Sequence, residues 1–297
     1  MKFNKICIVG INELQLSSAE ELQSYSELPV VFYDEIPEST EVLIDHIANA
    51  DCVLIGVSVY VPGKVFSECT SLKYVGVFAR ALSRVDLDAA KENKVLVTNI
   101  VSWCDWETAE FVIASILTVF RGVGSKHWVD APQCLKGKQL GIIGLGEVGL
   151  QVAEFAKAFG MKIVYHNRRE KKDAEELGIE YLTLHELMKT SDIVSLHVPP
   201  DSKVLGDNEF EITPDNSVIL NTSVGDILDS VSFEKWISKP SHFAIFDRIA
   251  GEETSSFKDL SNVYIADVDA YLTPGVNERR IRRLLDNVKL YLHSGKD

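Results

Sequence analysis

Gly144, Gly146 and Gly149 stand in the run LKGKQLGIIGLGEVGLQVAEFAKAFGMKIVYHNRR (Leu135–Arg169), at the spacing of a loop that carries phosphate. Gly144 permits the tight turn, Gly146 lets a pyrophosphate approach the backbone, and Gly149 lets a helix pack closely on a strand. Leu145, Glu147 and Val148 complete the loop, and the positive end of the following helix, with its unsatisfied N–H groups, would hold the phosphates. Gly-x-Gly-x-x-Gly alone is weak evidence, because glycine turns are common. Here it follows the buried-strand run Leu140, Ile142, Ile143. It precedes a helical face of Val152, Phe155, Ala156 and Phe159, and a second strand is expected at Lys162–Tyr165. That context makes it a dinucleotide site.

The end of the second strand discriminates between dinucleotides. A carboxylate about 20 residues on would bind the ribose 2′-hydroxyl of NAD. This chain has Asn167 there, followed by Arg168, Arg169, Lys171 and Lys172. An arginine fork matches a 2′-phosphate with charge-assisted bonds, whereas a carboxylate would repel it. NADP(H) is expected over NAD(H); the alternative reading of the basic run is a solvated start to the next helix.

The elements that must position this loop follow from the rest of the chain. With 297 residues and 46% apolar content, it is large enough for one or two real cores. No apolar run approaches a membrane span, and MKFNKICIVG is too short and too soon strand-like for a signal peptide. The five cysteines (Cys7, Cys52, Cys69, Cys104, Cys134) lack CxxC spacing, so buried thiols of a reducing compartment are expected, and neither disulfides nor a metal site. A net charge of −14 argues against nucleic acid and anionic membranes as partners and for a cytoplasmic protein.

Short β-rich runs at Lys5–Val9, Val30–Tyr33, Val53–Val59, Leu72–Val77 and Val95–Thr98 alternate with helical segments such as Glu41–Ala50 and Asp86–Glu92. This βαβ series predicts a small parallel sheet covered by helices. Gly10, Gly56 and Gly76 are read at its strand ends, and none forms a phosphate fingerprint. Glu107–Arg121 is a helix apolar nearly all round, expected to be buried or shared with a second subunit. Gly122–Lys138 links to the glycine loop. Beyond it, Ile193–Val198, Ser217–Asn221, Phe243–Phe246 and Val263–Ile265 read as strands, with helical signals at Leu184–Thr190 and Val231–Ile237. A last helix from about Val276 to His293 aligns Ile281, Leu284, Leu285, Val288 and Leu292.

From about Leu72 to Thr273 the chain resembles the D-isomer-specific 2-hydroxyacid dehydrogenases. The glycine loop with its LxGK lead-in is one match, and SDIVSLHVPP at Ser191–Pro200 is a second. The others are VLVTN-x9-AE at Val95–Glu110, VILNTSVGDILD at Val218–Asp229 and AIFD-x4-E at Ala244–Glu252. The resemblance implies two doubly wound α/β parallel-sheet domains, a flavodoxin-like substrate domain (1–100 plus 270–297) and a Rossmann dinucleotide-binding domain (101–269), with the active site in the cleft between them. It also implies a small-molecule substrate and cofactor contacts from His197, Val198, Pro199, Thr222, Ser223, Val224 and Asp247. Family dimers use the long helix and an arm before the LxGK strand. Arg121 to Leu135 is a shorter connection than usual, and a homodimer through the apolar helix is still expected.

In such proteins hydride passes from the nicotinamide to a 2-oxo acid carbonyl, a histidine paired with a glutamate gives the proton, and an arginine holds the carboxylate. In this chain Val224 stands at the arginine position and Val268 at the histidine position. The substrate-gripping glycine loop is represented by Ala79, Arg80 and Ala81, with alanines in place of glycines. Only the glutamate match, Glu252, remains, next to Glu253. Loss of general acid help alone costs about 10²–10⁴ in rate, so the family's reaction by the family's residues is excluded.

Other groups are candidates, each with a plainer reading. Arg80 could bind an anion or be a surface arginine. Asp267 and Asp269 could carry a proton or be turn aspartates in water. Tyr271 and Tyr60 could donate a phenolic proton or pack. Trp103 and Trp106 could wall an apolar substrate pocket or belong to the core. His197 and His242 read as structural, and Arg279, Arg280, Arg282 and Arg283 as the solvated face of the last helix, with an anion or partner site as the alternative. Two functions follow: an NADPH-dependent oxidoreductase acting on something other than a simple 2-oxo acid, or a catalytically silent NADP(H)-binding sensor or scaffold.

Overall fold

The computed structural model describes residues 1–11, 18–123, 132–200, 202–252 and 254–294. The chain divides into two compact units, Met1–Trp103 with Pro274–Asp297, and Cys104–Thr273. Part of the expected linker (124–131) and Glu253 fall outside the described residues.

The first unit is a five-stranded parallel sheet, β1 (Ile6–Val9), β2 (Val31–Tyr33), β3 (Cys52–Ile55), β4 (Tyr74–Val77) and β5 (Leu96–Asn99), in the order β2-β1-β3-β4-β5. That is the flavodoxin-like order. Helices cover both faces, so β1, β3 and β4 are apolar at every position rather than alternating. Cys7, Val9, Val53, Ile55, Val75 and Val77 point to one side, against Leu43 and Ile47 of α2 (Thr40–Ile47) and Val65 and Phe66 of α3 (Gly63–Glu68). Ile6, Ile8, Leu54 and Tyr74 point to the other, against Leu22 of α1 (Ala19–Ser24). The helix caps are local: Ser39 accepts from Val42 N at 3.3 Å to start α2, and Asp86 accepts from Ala89 N at 3.0 Å to start α4 (Leu87–Glu92).

The second unit opens with α5 (Asp105–Arg121) and contains β6 (Gln139–Ile143), α6 (Glu147–Ala158), β7 (Lys162–His166), α7 (Lys172–Glu176), β8 (Glu180–Tyr181), α8 (Leu184–Thr190) and β9 (Ile193–Leu196). It continues with α9 (Asp207–Glu211), β10 (Val218–Asn221), α10 (Ser230–Ile237), β11 (Phe243–Phe246), α11 (Arg248–Glu252) and β12 (Val263–Ile265). The seven parallel strands run β12-β11-β10-β9-β6-β7-β8. Six of them repeat the Rossmann 3-2-1-4-5-6 order with one strand added beyond, and the order reverses between β6 and β9, where such sheets bind ligands. Both units are thus doubly wound α/β sheets. Val112, Ile116, Val119 and Phe120 of α5 are buried with Val152, Ala153 and Ala156 of α6. Its apolar character is therefore largely consumed within the unit, and Trp106 remains 54% exposed.

α12 (Val276–Ser294) returns to the first unit, where Leu284, Leu285, Val288 and Leu292 join Ile6, Ile8 and Tyr74. Gly76 lies inside β4 and not at a strand end. A Cβ there would press on Leu54, Leu284 and Tyr74, so its absence is what lets α12 sit down on the sheet. The α12 arginines also differ from the solvated face expected of them. Arg279 Nε donates to the Trp103 carbonyl (3.3 Å), Arg283 Nη2 to that of Ser102 (3.4 Å) and Arg280 Nη2 to that of Phe78 (3.3 Å). The Arg280 guanidinium lies 4.2 Å from the Phe78 ring centre and 5.0 Å from that of Trp103. Helical spacing placed these cations on one face, but only the fold brought a loop of carbonyls to them. The short helices α1, α3, α7, α9 and α11 carry too few apolar repeats to register as periodic in the sequence.

Candidate functional site

β6 delivers the chain into the glycine loop, and the three glycines differ in what holds them. Gly144 has φ +97°, and a Cβ on it would strike the His197 carbonyl. A Cβ on Gly149 would strike the Gly144 carbonyl, which is how close α6 comes to the loop. A Cβ on Gly146 would meet nothing within 4 Å. The space above Gly146 is open, and α6 starts there with no side chain capping its first turn. Loop N–H groups at an uncapped end of a 12-residue helix, beside open space at a glycine, fit a dinucleotide pyrophosphate. Leu145 is buried, Val148 half-buried and Glu147 exposed.

Asn167 follows β7 and reaches back to this loop: its Oδ1 accepts the Leu145 N–H at 2.7 Å. One of the oxygen's two lone pairs is thereby committed, and Nδ2 remains a donor. The turn behind it is fixed by Tyr165, whose hydroxyl accepts from Lys171 N at 2.8 Å and donates to the Lys171 carbonyl at 3.2 Å. Arg168 and Arg169 are exposed, and among the described residues neither is engaged in an ion pair.

His197, Val198 and Pro199 follow β9 on the other side of the switch point. His197 Nε2 lies 2.8 Å from Ser195 Oγ, and burial lowers its pKa to about 4, so it is neutral at physiological pH. Ser223 ties this turn to the end of β10, donating from Oγ to the Leu196 carbonyl (3.1 Å) and accepting from Val198 N (3.0 Å). Asn221 Oδ1 in turn accepts from Ser223 N at 2.8 Å. Thr222 is half-buried, and Val224 stands 47% exposed past the end of β10.

Past β11, Asp247, Glu252 and Asp269, all singled out in the sequence, meet Arg248, which was not. Asp247 is buried, its Oδ1 accepts from Ala250 N and its Oδ2 from Ala270 N, each at 2.9 Å, and burial raises its pKa. It thus staples the start of α11 to the turn after β12. Arg248 N donates to the Val268 carbonyl at 3.0 Å. The Arg248 guanidinium pairs with Asp269 through Nε–Oδ1 (2.8 Å) and Nη2–Oδ2 (2.9 Å), and with Glu252 through Nη1–Oε1 (3.0 Å). Glu252, the one surviving catalytic match, is therefore engaged with an arginine. Asp269 is 5% exposed and ion-paired, not a turn aspartate in water, whereas Asp267 is exposed. The i,i+4 spacing of Arg248 and Glu252 was legible in the sequence; the bidentate partner 21 residues on was not. Val268 is 53% exposed beside this cluster.

The remaining candidates separate cleanly. His242 is buried, stacked on Trp236 at 4.5 Å with Nδ1 2.8 Å from the Trp236 carbonyl, a structural residue whose pKa burial lowers. Trp106 meets Phe155 edge-on at 4.8 Å and donates to Glu110 (2.9 Å), while Trp103 packs beside the first unit's core. Tyr60 is 60% exposed, so it does not pack, and Tyr271 is half-buried. In the first unit Ala79 is buried and Arg80 and Ala81 are exposed, the Arg80 carbonyl accepting from Asn99 Nδ2 at 2.6 Å. Among the described residues no cluster of His, Cys, Asp or Glu could hold a metal ion, and no helix is long and apolar enough to cross a membrane.

Comparison with known proteins agrees with this architecture. Residues 116–267 match the family model "D-isomer specific 2-hydroxyacid dehydrogenase, NAD binding domain". A glyoxylate reductase of Thermococcus litoralis is 31% identical over 223 residues, which are 66% of this chain and 67% of that protein. A glyoxylate reductase of Korarchaeum cryptofilum is 28% identical over 301 residues, 94% of this chain and 89% of that one. Among solved structures, an acyclic imino acid reductase in complex with NADPH and D-Arg superposes with TM-score 0.81 at 22% identity, covering 98% of this chain and 97% of that one. The D-lactate dehydrogenase of Aquifex aeolicus complexed with NAD and lactic acid gives 0.76 at 22% identity, covering 97% and 96%. With the family model spanning half of the sequence and the Rossmann sheet carrying its glycine loop at the switch point, the chain belongs to the D-isomer specific 2-hydroxyacid dehydrogenase family, whose members bind nicotinamide dinucleotides.

Proposed function

We propose that this protein is an NADPH-preferring oxidoreductase whose substrate is not a simple 2-oxo acid. The observation that carries the cofactor preference is the Asn167 Oδ1 bond to Leu145 N. A ribose 2′-hydroxyl is best held by a carboxylate acceptor, and here a neutral amide whose oxygen already takes a loop N–H stands in its place. What remains is a donor next to two exposed arginines, the complement of a phosphate that only accepts.

When bound, the cofactor supplies hydride. The chain's own work is to fix it and shape the reacting space. Gly144, Gly146 and Gly149 bring backbone N–H groups to the pyrophosphate, and Ser223 locks the β9 and β10 turns to each other. Asp247 holds the β11 and β12 turns together, and Val224 and Val268 line the sheet's carboxyl edge with apolar surface. The dinucleotide domain comprises residues 101–269 and the substrate domain 1–100 with 270–297 in this reading, and Arg80 is the candidate cation of the latter. The two valines, which can neither donate a proton nor pair with a carboxylate, also motivate a second reading as a silent NADP(H) sensor or scaffold.

Calorimetric titration with NADPH and NADH at physiological salt tests the cofactor assignment. Selective binding of NADPH is expected; comparable affinity for the two would refute the preference. Binding of neither would remove both readings and leave a structural role.

A further inference from the structure

Resting on the oxidoreductase reading, we propose that the carboxyl edge of the second sheet takes a substrate whose reacting group is a protonated imine, not the carbonyl of a 2-oxo acid. β10, β11 and β12 are neighbours in the sheet, and just past their ends stand Val224, Arg248 and Val268. Val224, Val268 and Leu272 are 47%, 53% and 58% exposed, and Arg248, whose backbone N–H bonds the Val268 carbonyl, brings a guanidinium to this edge. That guanidinium is already held by Asp269 on two sides and by Glu252 on a third. One positive group is thus shared by two carboxylates, and exposed Asp267 stands next to Val268 in the chain. A 2-oxo acid brings a net negative charge to an edge whose cation is neutralised, whereas its protonated imine offsets its own carboxylate. An iminium brings the charge that this edge lacks.

The proton balance points the same way. Hydride addition to a carbonyl leaves an alkoxide, which needs a proton in the transition state, and Val268 has none to give. His197 is neutral, with a pKa of about 4, and His242 is buried against Trp236. Hydride addition to a protonated imine needs no acid. NADPH gives up two electrons as hydride, a C–H bond forms at the imine carbon, and the C=N π pair moves to nitrogen. The products are a neutral amine and NADP⁺, and the amine takes its proton from water afterwards. The proton that a histidine would supply arrives already on the substrate.

The test uses the full chain with NADPH and three 2-oxo acids, glyoxylate, pyruvate and 4-methyl-2-oxopentanoate, each with and without methylamine. NADPH oxidation should rise about 10²-fold with the amine, and mass spectrometry should find the N-methylamino acid. A readout independent of turnover is calorimetry on the NADP⁺-bound protein with N-methylalanine and with lactate. N-methylalanine should bind more tightly, and Glu252→Gln should weaken it about two- to fivefold without changing NADPH affinity. Equal rates with and without methylamine, no amine-dependent oxidation in a protein that binds NADPH, or tighter binding of lactate would each overturn the inference. So would amine-independent reduction that Tyr271→Phe abolishes, since the acid would then be that phenol. Failure of NADPH to bind at all would instead bring down the oxidoreductase reading beneath it.

Discussion

Asn167→Asp is the most informative single change in this chain. Asp keeps an oxygen where Asn167 Oδ1 now accepts the Leu145 N–H at 2.7 Å, so the loop should hold its shape and stability should change by less than about 1 kcal/mol. What changes is the free end of the side chain: an amide donor becomes a carboxylate acceptor. For NADPH this deletes a hydrogen bond to a charged partner, worth about 1.5–3 kcal/mol, or roughly 10- to 150-fold in Kd. Repulsion between carboxylate and phosphate adds to that loss. For NADH the carboxylate gains the ribose hydroxyl, worth about 1.5 kcal/mol, or roughly tenfold. The ratio of the two affinities should therefore move by about 10²–10³ toward NADH. Calorimetry of wild type and variant with both dinucleotides at about 0.15 M salt, where the Debye length is about 8 Å, gives the four Kd values. An NADPH affinity unchanged within about twofold, in a variant of unchanged Tm, would refute the assignment of Asn167 to the 2′ position.

Four further outcomes are expected. Gly146→Ala should fold normally, because its Cβ meets nothing within 4 Å, yet lose dinucleotide affinity about tenfold or more. Gly144→Ala, at φ +97° and facing the His197 carbonyl, should lower stability by more than about 2 kcal/mol; urea denaturation and calorimetry separate the two. His197 has a folded-state pKa depressed from 6.5 to about 4, so below pH 6.5 the unfolded chain binds the proton and the folded one does not. Stability from this group is thus present above pH 6.5 and is lost as pH falls from about 6.5 to 4, by on the order of 2–3 kcal/mol; His197→Gln should flatten that part of the urea-denaturation profile. Finally, Val224→Arg with Val268→His should raise amine-independent reduction of pyruvate if the edge has lost only its reactive groups. No gain in the NADPH absorbance assay would mean that its shape has diverged as well.

Much of this protein was legible in the sequence because the information is local. A helix face repeats every three to four residues, a doubly buried strand is a short continuous apolar run, and a phosphate loop shows its glycines at fixed offsets. The two α/β sheets and the loop at Gly144–Gly149 follow from such patterns, and so does the basic run after β7. Gly76 shows where the local signal stops: a glycine within an apolar run reads as a strand end, and only the packed α12 shows that it is a space left for Leu284.

The rest depends on which distant residues the strand order makes neighbours. Asn167 reaches Leu145 only because β6 and β7 lie side by side in a register that pairs Ile143 with His166. Arg248 meets Asp269, 21 residues away, only because β11 and β12 are adjacent and Asp247 pins the turn beyond them. The α12 arginines look solvated in the sequence and clamp carbonyls in the fold. Charge type and spacing determined that such groups exist. Whether each stays free, pairs, or becomes neutral was decided by burial and by the partner that the tertiary structure set within hydrogen-bonding distance, because hydrogen bonds and desolvation act only at contact distance.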